Sequence, residues 1–164
     1  MGGLLKNITF LMILALCMSS CGSNRSTSTR SYKLSTTQKK SALIDQAKAY
    51  IGTPYLWGGA NQQGMDCSGL IYQSFKAIAV DVPRTTEGLM QQGRKISLRK
   101  IKPGDLVFFK TLKSKAKATH VGIVTLNNIN ETYFIHSGTS TGVTISKLQD
   151  RYWKKHFVFA RRLL

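Results

Sequence analysis

Cys67 stands in the string Gly64-Met65-Asp66-Cys67-Ser68-Gly69-Leu70, directly ahead of apolar residues at helical spacing: Leu70, Ile71, Phe75 and Ile78. The spacing predicts a helix whose first turn carries the thiol. There the positive end of the helix dipole favours thiolate and can draw a cysteine pKa from ~8.5 toward ~3.5–7.5. Asp66 suits the N-cap, since its carboxylate can accept from the open amides of the first turn. Most free cysteines only fill core space. Here, however, Gly64, Ser68 and Gly69 are small enough to let another backbone come close, which a plain core helix does not need. Such a nucleophile requires a base, and the chain offers His120 and His136. The two are equidistant from Asn128, the middle of the turn signal Asn127-Asn128-Ile129-Asn130. A hairpin centred there would set the imidazoles directly opposite one another, with Cβ atoms ~4.5–5.5 Å apart. One ring would then take the thiol proton while the other fixes its tautomer, the logic of acyl-transfer enzymes. A slip of one residue would put the rings on opposite faces.

The N-terminus bears on how the cysteine is read. Met1 to Lys6 form a short positive region, and Ile8 to Leu16 an apolar run too short to span a bilayer, so residues 1–20 read as an export signal. Met18-Ser19-Ser20-Cys21-Gly22 resembles the bacterial lipobox, with Met18 where leucine is preferred; Cys21 would then be lipidated and become the first mature residue. An ordinary cleaved secretory signal is the alternative. With Cys17 removed and Cys21 acylated, Cys67 is left alone in an exported chain, the mark of a reactive thiol. Residues 21–40 are Ser/Thr-rich and basic, and read as a flexible tether. Residues 41–164 suffice for one compact domain.

The chain carries 24 Lys and Arg against 7 Asp and Glu, a formal charge of +17. In the cytosol that excess would point to nucleic acid. Export and the lack of a nucleic-acid-binding motif turn it toward anionic envelope polymers and lipid head groups instead.

The elements that must position the three residues follow from pattern. Leu43, Ile44, Ala47, Tyr50 and Ile51 predict a helix ended by Gly52-Thr53-Pro54, and the Cys67 helix should run to about Val80. Thr85 to Gln92 predicts a short helix closed by Gly93. Leu106-Val107-Phe108-Phe109, after the turn Pro103-Gly104-Asp105, reads as a buried strand. Further strands are expected at Thr119–Leu126, Glu131–Ser137, Gly142–Ser146 and His156–Arg161. Helices first and strands last give an α+β fold.

Five strings carry a family resemblance: Thr53-Pro54-Tyr55-Leu56-Trp57-Gly58-Gly59, Asp66-Cys67-Ser68-Gly69-Leu70, Pro83-Arg84-Thr85-Thr86, Pro103-Gly104-Asp105-Leu106-Val107-Phe108-Phe109 and His120-Val121-Gly122-Ile123-Val124. In order and spacing they resemble the NlpC-type cell-wall cysteine peptidases. The resemblance implies a papain-like α+β fold, N-terminal helices on an antiparallel sheet, that cleaves peptidoglycan stem peptides between γ-linked D-glutamate and the diamino acid. It implies that Cys67 is the nucleophile, His120 the general base and His136 the polar group orienting it. Tyr55, Asp66 and Ser68 match positions lining the pocket for the start of the stem peptide. No cofactor is implied. The expected partners are stem peptides and, through the lipid anchor, a membrane (the outer one in a Gram-negative cell), with the protein acting as a monomer. Many members carry a separate wall-targeting module, and none is evident here.

Three rival readings remain. Cys67, His120 and His136 could be zinc ligands, but no fourth ligand or ligand-spaced motif accompanies them. The chain could bind wall without cleaving it, or transfer acyl groups to or from lipid. His156 reads as structural. The loop Lys110–Ala118 holds Lys110, Lys113, Lys115 and Lys117 close before His120, and is expected to attract anionic substrate.

Overall fold

The computed structural model describes residues 34–164; the expected signal, Cys21 and residues 21–33 of the expected tether lie outside it. Helix α1 (Thr36–Lys48) starts earlier than apolar spacing indicates, because Ser35 and Gln38 form a reciprocal cap. The Gln38 amide donates to Ser35 Oγ at 3.2 Å, and the Ser35 amide to Gln38 Oε1 at 2.9 Å. Residues 36–40 of the expected tether are therefore helical. Leu43, Ile44 and Ala47 form the buried face. The ribbon β1 (Ala60–Asn61) and β2 (Gly64–Met65) leads into α2 (Cys67–Ala77), which ends three residues before Val80 as Ala79 turns left-handed at φ 54°. A single turn, α3 (Thr86–Leu89), is capped by Thr85.

One antiparallel sheet holds the rest. Its strands are β3 (Arg94–Ile96), β4 (Leu106–Phe109), β5 (His120–Asn127), β6 (Thr132–Gly138), β7 (Gly142–Lys147) and β8 (Phe157–Arg162), in the order β3-β8-β4-β5-β6-β7. Helix α4 (Arg151–His156) precedes β8. β4 reads as an unbroken apolar run because it is buried on both faces. Leu106 and Phe108 face α1 and α2 with Val121, Ile123 and Ile135; Val107 and Phe109 meet Val124, Phe134, Ala160 and Trp153 on the other side. β3 and α4 were not expected. β3 is a short, charged edge strand without the usual alternation, and α4 is a single basic turn and a half with no buried residue.

The β5–β6 hairpin differs from the symmetric form in a way that decides the site. Ile123 pairs with Ile135 and Val124 with Phe134; after a bulge at Thr125, Asn127 pairs with Thr132. The turn is Asn128–Glu131, held by the Asn128 side chain accepting from the Asn130 and Glu131 amides at 3.1 and 2.8 Å. Continued, the register sets His136 opposite Gly122 and leaves His120 on the diagonal. Direct opposition is thus corrected by two residues. An even displacement keeps both rings on one face.

Candidate active site

The loop before α2 and the first turn of the helix are in backbone contact, as the small residues there require. A Cβ at Gly69 would collide with the Gly59 carbonyl. Asp66 caps α2, accepting from the Gly69 amide at 2.7 Å, and it does more than cap. Its carboxylate also takes the Gly58 amide at 2.9 Å, Ser68 Oγ at 3.0 Å and both terminal nitrogens of Arg84 at 2.9 and 3.2 Å. Burial pushes the Asp66 carboxyl up, but the Arg84 and Gly69 hydrogen bonds outweigh it and hold the group below its usual range. Five donors fill the roughly four lone-pair sites of a carboxylate. Arg84 also donates to the Gly59 carbonyl at 2.7 Å, locking the glycine loop to the helix start.

Cys67 is buried at this helix N-terminus. Its Sγ lies 3.7 Å from Thr86 Oγ1, and the amides of Val121 and Ser68 face it. Burial nevertheless pushes the thiol pKa up. The expectation of a depressed value is corrected here: desolvation of the anion outweighs the local dipole and the amides. His120 opens on the same cleft, outside hydrogen-bond reach of the sulfur among the described contacts.

The two histidines form a buried chain. His120 Nε2 and His136 Nδ1 are 3.1 Å apart, and His136 Nε2 lies 2.9 Å from Ser146 Oγ. Gly122 makes room, since a Cβ there would stand 2.6 Å from Phe134 Cδ2 and 3.3 Å from His136 Cβ. Trp153 stacks on His120 at 5.5 Å between centroids and sets its edge to His136 at 4.6 Å, shielding both rings. One proton arrangement satisfies the chain with a free base at the cleft: His120 donates from Nε2 to His136 Nδ1, and His136 donates from Nε2 to Ser146 Oγ. His120 Nδ1 is then left to accept.

Burial lowers His120 to about 3, with His136 adding to the shift, and burial lowers His136 to about 4. Both rings are neutral in the folded protein. Unfolded, they take protons near the ordinary value of 6.5, so between pH 6.5 and the folded values the unfolded chain binds more protons. Stability is therefore fully present above that window and is lost as pH falls through it. The thermal midpoint should fall as pH drops from 6.5 toward 4, and less so in His136→Gln. A midpoint indifferent to pH there would mean the rings are not held neutral.

These groups share a cleft of about 850 Å³. Tyr55, Trp57 and Thr86 line it from the helix side of the chain, Ser137, Thr139 and Thr144 from the β6–β7 side, and part of the Lys110–Ala118 loop lines it as well. Ser137 ties the walls together, donating from Oγ to the Met65 carbonyl at 2.7 Å. Tyr55, Asp66 and Ser68 line the cleft. Burial, Cys67 and Asp66 together raise the Tyr55 hydroxyl, keeping it a donor. Of the loop lysines Lys113 lines the cleft, while Lys117 turns away over the Phe159 ring at 5.6 Å. Among the described residues no three His, Cys, Asp or Glu side chains converge as a metal site. Sequence reasoning missed Arg84 as a clamp, Thr86 beside the thiol, Ser146 behind His136 and Trp153 over the pair. Only Ser146 left a trace, since β6 and β7 pair symmetrically about the Thr139–Thr141 turn, His136 with Thr144 and Phe134 with Ser146.

A cysteine at the start of a helix, facing a histidine on an antiparallel sheet across an open cleft, defines the papain-like class. Residues 52–162 match the NlpC/P60 family, and the chain belongs to it. It is 36% identical over 154 residues to "Probable endopeptidase NlpC" of Escherichia coli K12, covering 93% of this chain and 97% of that protein. It is 36% identical over 126 residues to "Murein DD-endopeptidase MepS/Murein LD-carboxypeptidase" of the same strain, covering 76% of this chain and 63% of that one. Among solved structures, a protein described as similar to lipoprotein, NLP/P60 family, from Staphylococcus aureus superposes with a TM-score of 0.69 at 31% identity. That match covers 84% of this chain and 45% of the other, so this chain spans under half of it.

Proposed function

We propose that this protein is a peptidoglycan endopeptidase that cleaves stem peptides by cysteine-histidine covalent catalysis. The observation that carries it is the neutral His120–His136–Ser146 chain opening, with buried Cys67, on one cleft; the kinship with proteins named as endopeptidases, some of them murein endopeptidases, supports it. His120 Nδ1 takes the thiol proton as the sulfur attacks the peptide carbonyl, forming a C–S bond. The amides of Gly69 and Leu70 are already bonded to Asp66 and that of Ser68 faces the sulfur, so the Cys67 amide is the first-turn donor left for the developing oxyanion. His120 then gives its proton to the leaving amine as the C–N bond breaks. Water, deprotonated by the same ring, hydrolyses the thioester.

The bond proposed is that between γ-D-glutamate and the diamino acid. The names of the relatives favour a second reading, the D,D cross-link. Either way the substrate is proposed to be a stem still attached to its glycan strand. A released stem begins with an ammonium, and the Asp66 carboxylate that would meet it is already filled by Arg84 and backbone amides. Incubation with intact peptidoglycan and with released stem peptide, each followed by mass spectrometry of the fragments, tests all three points. Intact wall left uncut would sink the proposal, and the fragment masses identify the bond.

Stem peptides carry free carboxylates, and Lys113 lines the cleft where it can attract them. Lys113→Gln should raise KM at low salt and leave kcat nearly unchanged, the difference fading as the Debye length shrinks from ~10 Å at 0.1 M salt toward ~3 Å at 1 M. Identical KM at low ionic strength would reduce the loop to a solvated rim.

The protein is further proposed to sit in the bacterial envelope as a monomer, residues 21–33 tethering it to acyl chains on Cys21. Two signals or more anchor stably where one chain binds only marginally. Cys21→Ser should move the protein from the membrane to the soluble fraction. Wild-type protein found unlipidated would remove the anchor.

A further inference from the structure

On the helix-side face of the sheet, outside the catalytic cleft, β3 and β8 bring two cations into direct opposition. Lys95 pairs with Arg161 in the ladder, and Arg94 with Arg162 one step on. Like charges directly opposed on a sheet are destabilising. The second pair is relieved, because Arg162 donates to the buried Asp105 carboxylate from Nε at 2.6 Å and Nη2 at 2.7 Å. The first pair has no such relief. Lys117 joins it from the Lys110–Ala118 loop, and among the described residues no acid pairs with any of the three.

Two of the three cations share an aromatic ring, although both lysines remain exposed. Lys117 Nζ lies 5.6 Å and the Arg161 guanidinium 5.9 Å from the centroid of the Phe159 ring. Together with Lys95, Met90, Gln91 and Phe159 they enclose a recess of about 140 Å³ that contains no carboxylate. Arg161 Nη1 is spent on the Gly93 carbonyl at 3.0 Å, while its Nε–H is buried without a hydrogen-bond partner. A buried donor left unmatched costs about 1–3 kcal/mol. Such a group needs an acceptor, and a water, an ion or another ligand can supply one.

We propose that this recess is an oxyanion site for phosphate. A guanidinium with a free Nε–H and the two lysines that line the recess supply three positive charges and N–H donors. That set matches a tetrahedral phosphate, with its several acceptor oxygens and charge above one, better than a single carboxylate. Occupancy would satisfy the orphan Nε–H and remove the Lys95–Arg161 repulsion in one step. The recess and the catalytic cleft lie on either side of the same loop, with Lys113 on the cleft and Lys117 on the recess. Phosphate is available in an envelope either free or on lipid head groups, and the chemistry of the recess is common to both.

The test titrates the full chain, labelled with nitrogen-15, with inorganic phosphate against chloride at matched ionic strength, following the Arg161 Nε–Hε resonance. A saturable shift specific to phosphate, weakened tenfold or more by Lys95→Gln and by Lys117→Gln, is the expected result. A shift linear in phosphate, one reproduced by chloride, or one untouched by both lysine variants would overturn the site. A second arm compares co-sedimentation of wild type and Arg161→Gln with phosphatidylglycerol vesicles. Weaker binding of the variant assigns the phosphate to a lipid surface. Equal binding alongside a saturable phosphate shift assigns it to the free anion.

Discussion

Cys67→Ala should abolish release of fragments from peptidoglycan, a loss on the order of 10⁶-fold, the scale set by deleting a catalytic nucleophile elsewhere. The fold should survive, because the side chain is small and the Asp66 cap holds the start of α2 without it. Cys67→Ser is the sharper variant. It is only slightly smaller and keeps a hydrogen-bonding atom facing Thr86 Oγ1, which lies 3.7 Å from the sulfur, so its thermal midpoint should stay close to wild type. It should nonetheless be inactive. A hydroxyl gives up its proton far less readily than a thiol, and a neutral imidazole tuned to a thiol would have to remove it while burial resists the anion. A folded serine variant with wild-type rate would end the proposed mechanism.

How much of this was legible in the sequence depends on the reach of each interaction. The position of Cys67 was legible because its causes are local: an N-cap at Asp66, apolar residues at helical spacing and small residues where a loop must approach. The α+β order and the buried β4 run were legible for the same reason. His120 and His136 were correctly put on one face, although the hairpin is centred beyond Asn128 and bulged at Thr125. An error of two residues preserves the face, whereas an error of one would have lost the pair. The thiol pKa was misjudged because the helix dipole is a local feature whereas burial is set by the whole domain, and here burial outweighs even the Val121 amide on β5, which pulls the other way. Arg84 reaches Asp66 across 18 residues, and Trp153 covers the histidines from a helix with no apolar signature of its own. Neither contact leaves a periodic trace.

His120→Ala is expected to lower kcat/KM by about 10²–10⁴-fold, the ordinary worth of a positioned general base. Magnitude alone would not separate a base from a buried ring whose loss loosens the site, but the pH profile does. In the wild type the thiol passes its proton to His120 within the site, so no net proton is lost and the rate should be level across neutral pH. In His120→Ala the proton must leave to solvent. The residual rate should then climb about tenfold per pH unit until the thiol, held up by burial, ionises unaided. A variant that is merely slower, with a level profile, would take the base role away from His120. His136→Asn should cost less, because the smaller amide can still face His120 Nε2, and it should leave the profile level. The two variants therefore separate proton transfer from orientation. If the steep climb appeared in His136→Asn and not in His120→Ala, the order of the chain would be reversed, with His136 as the base and His120 as its support.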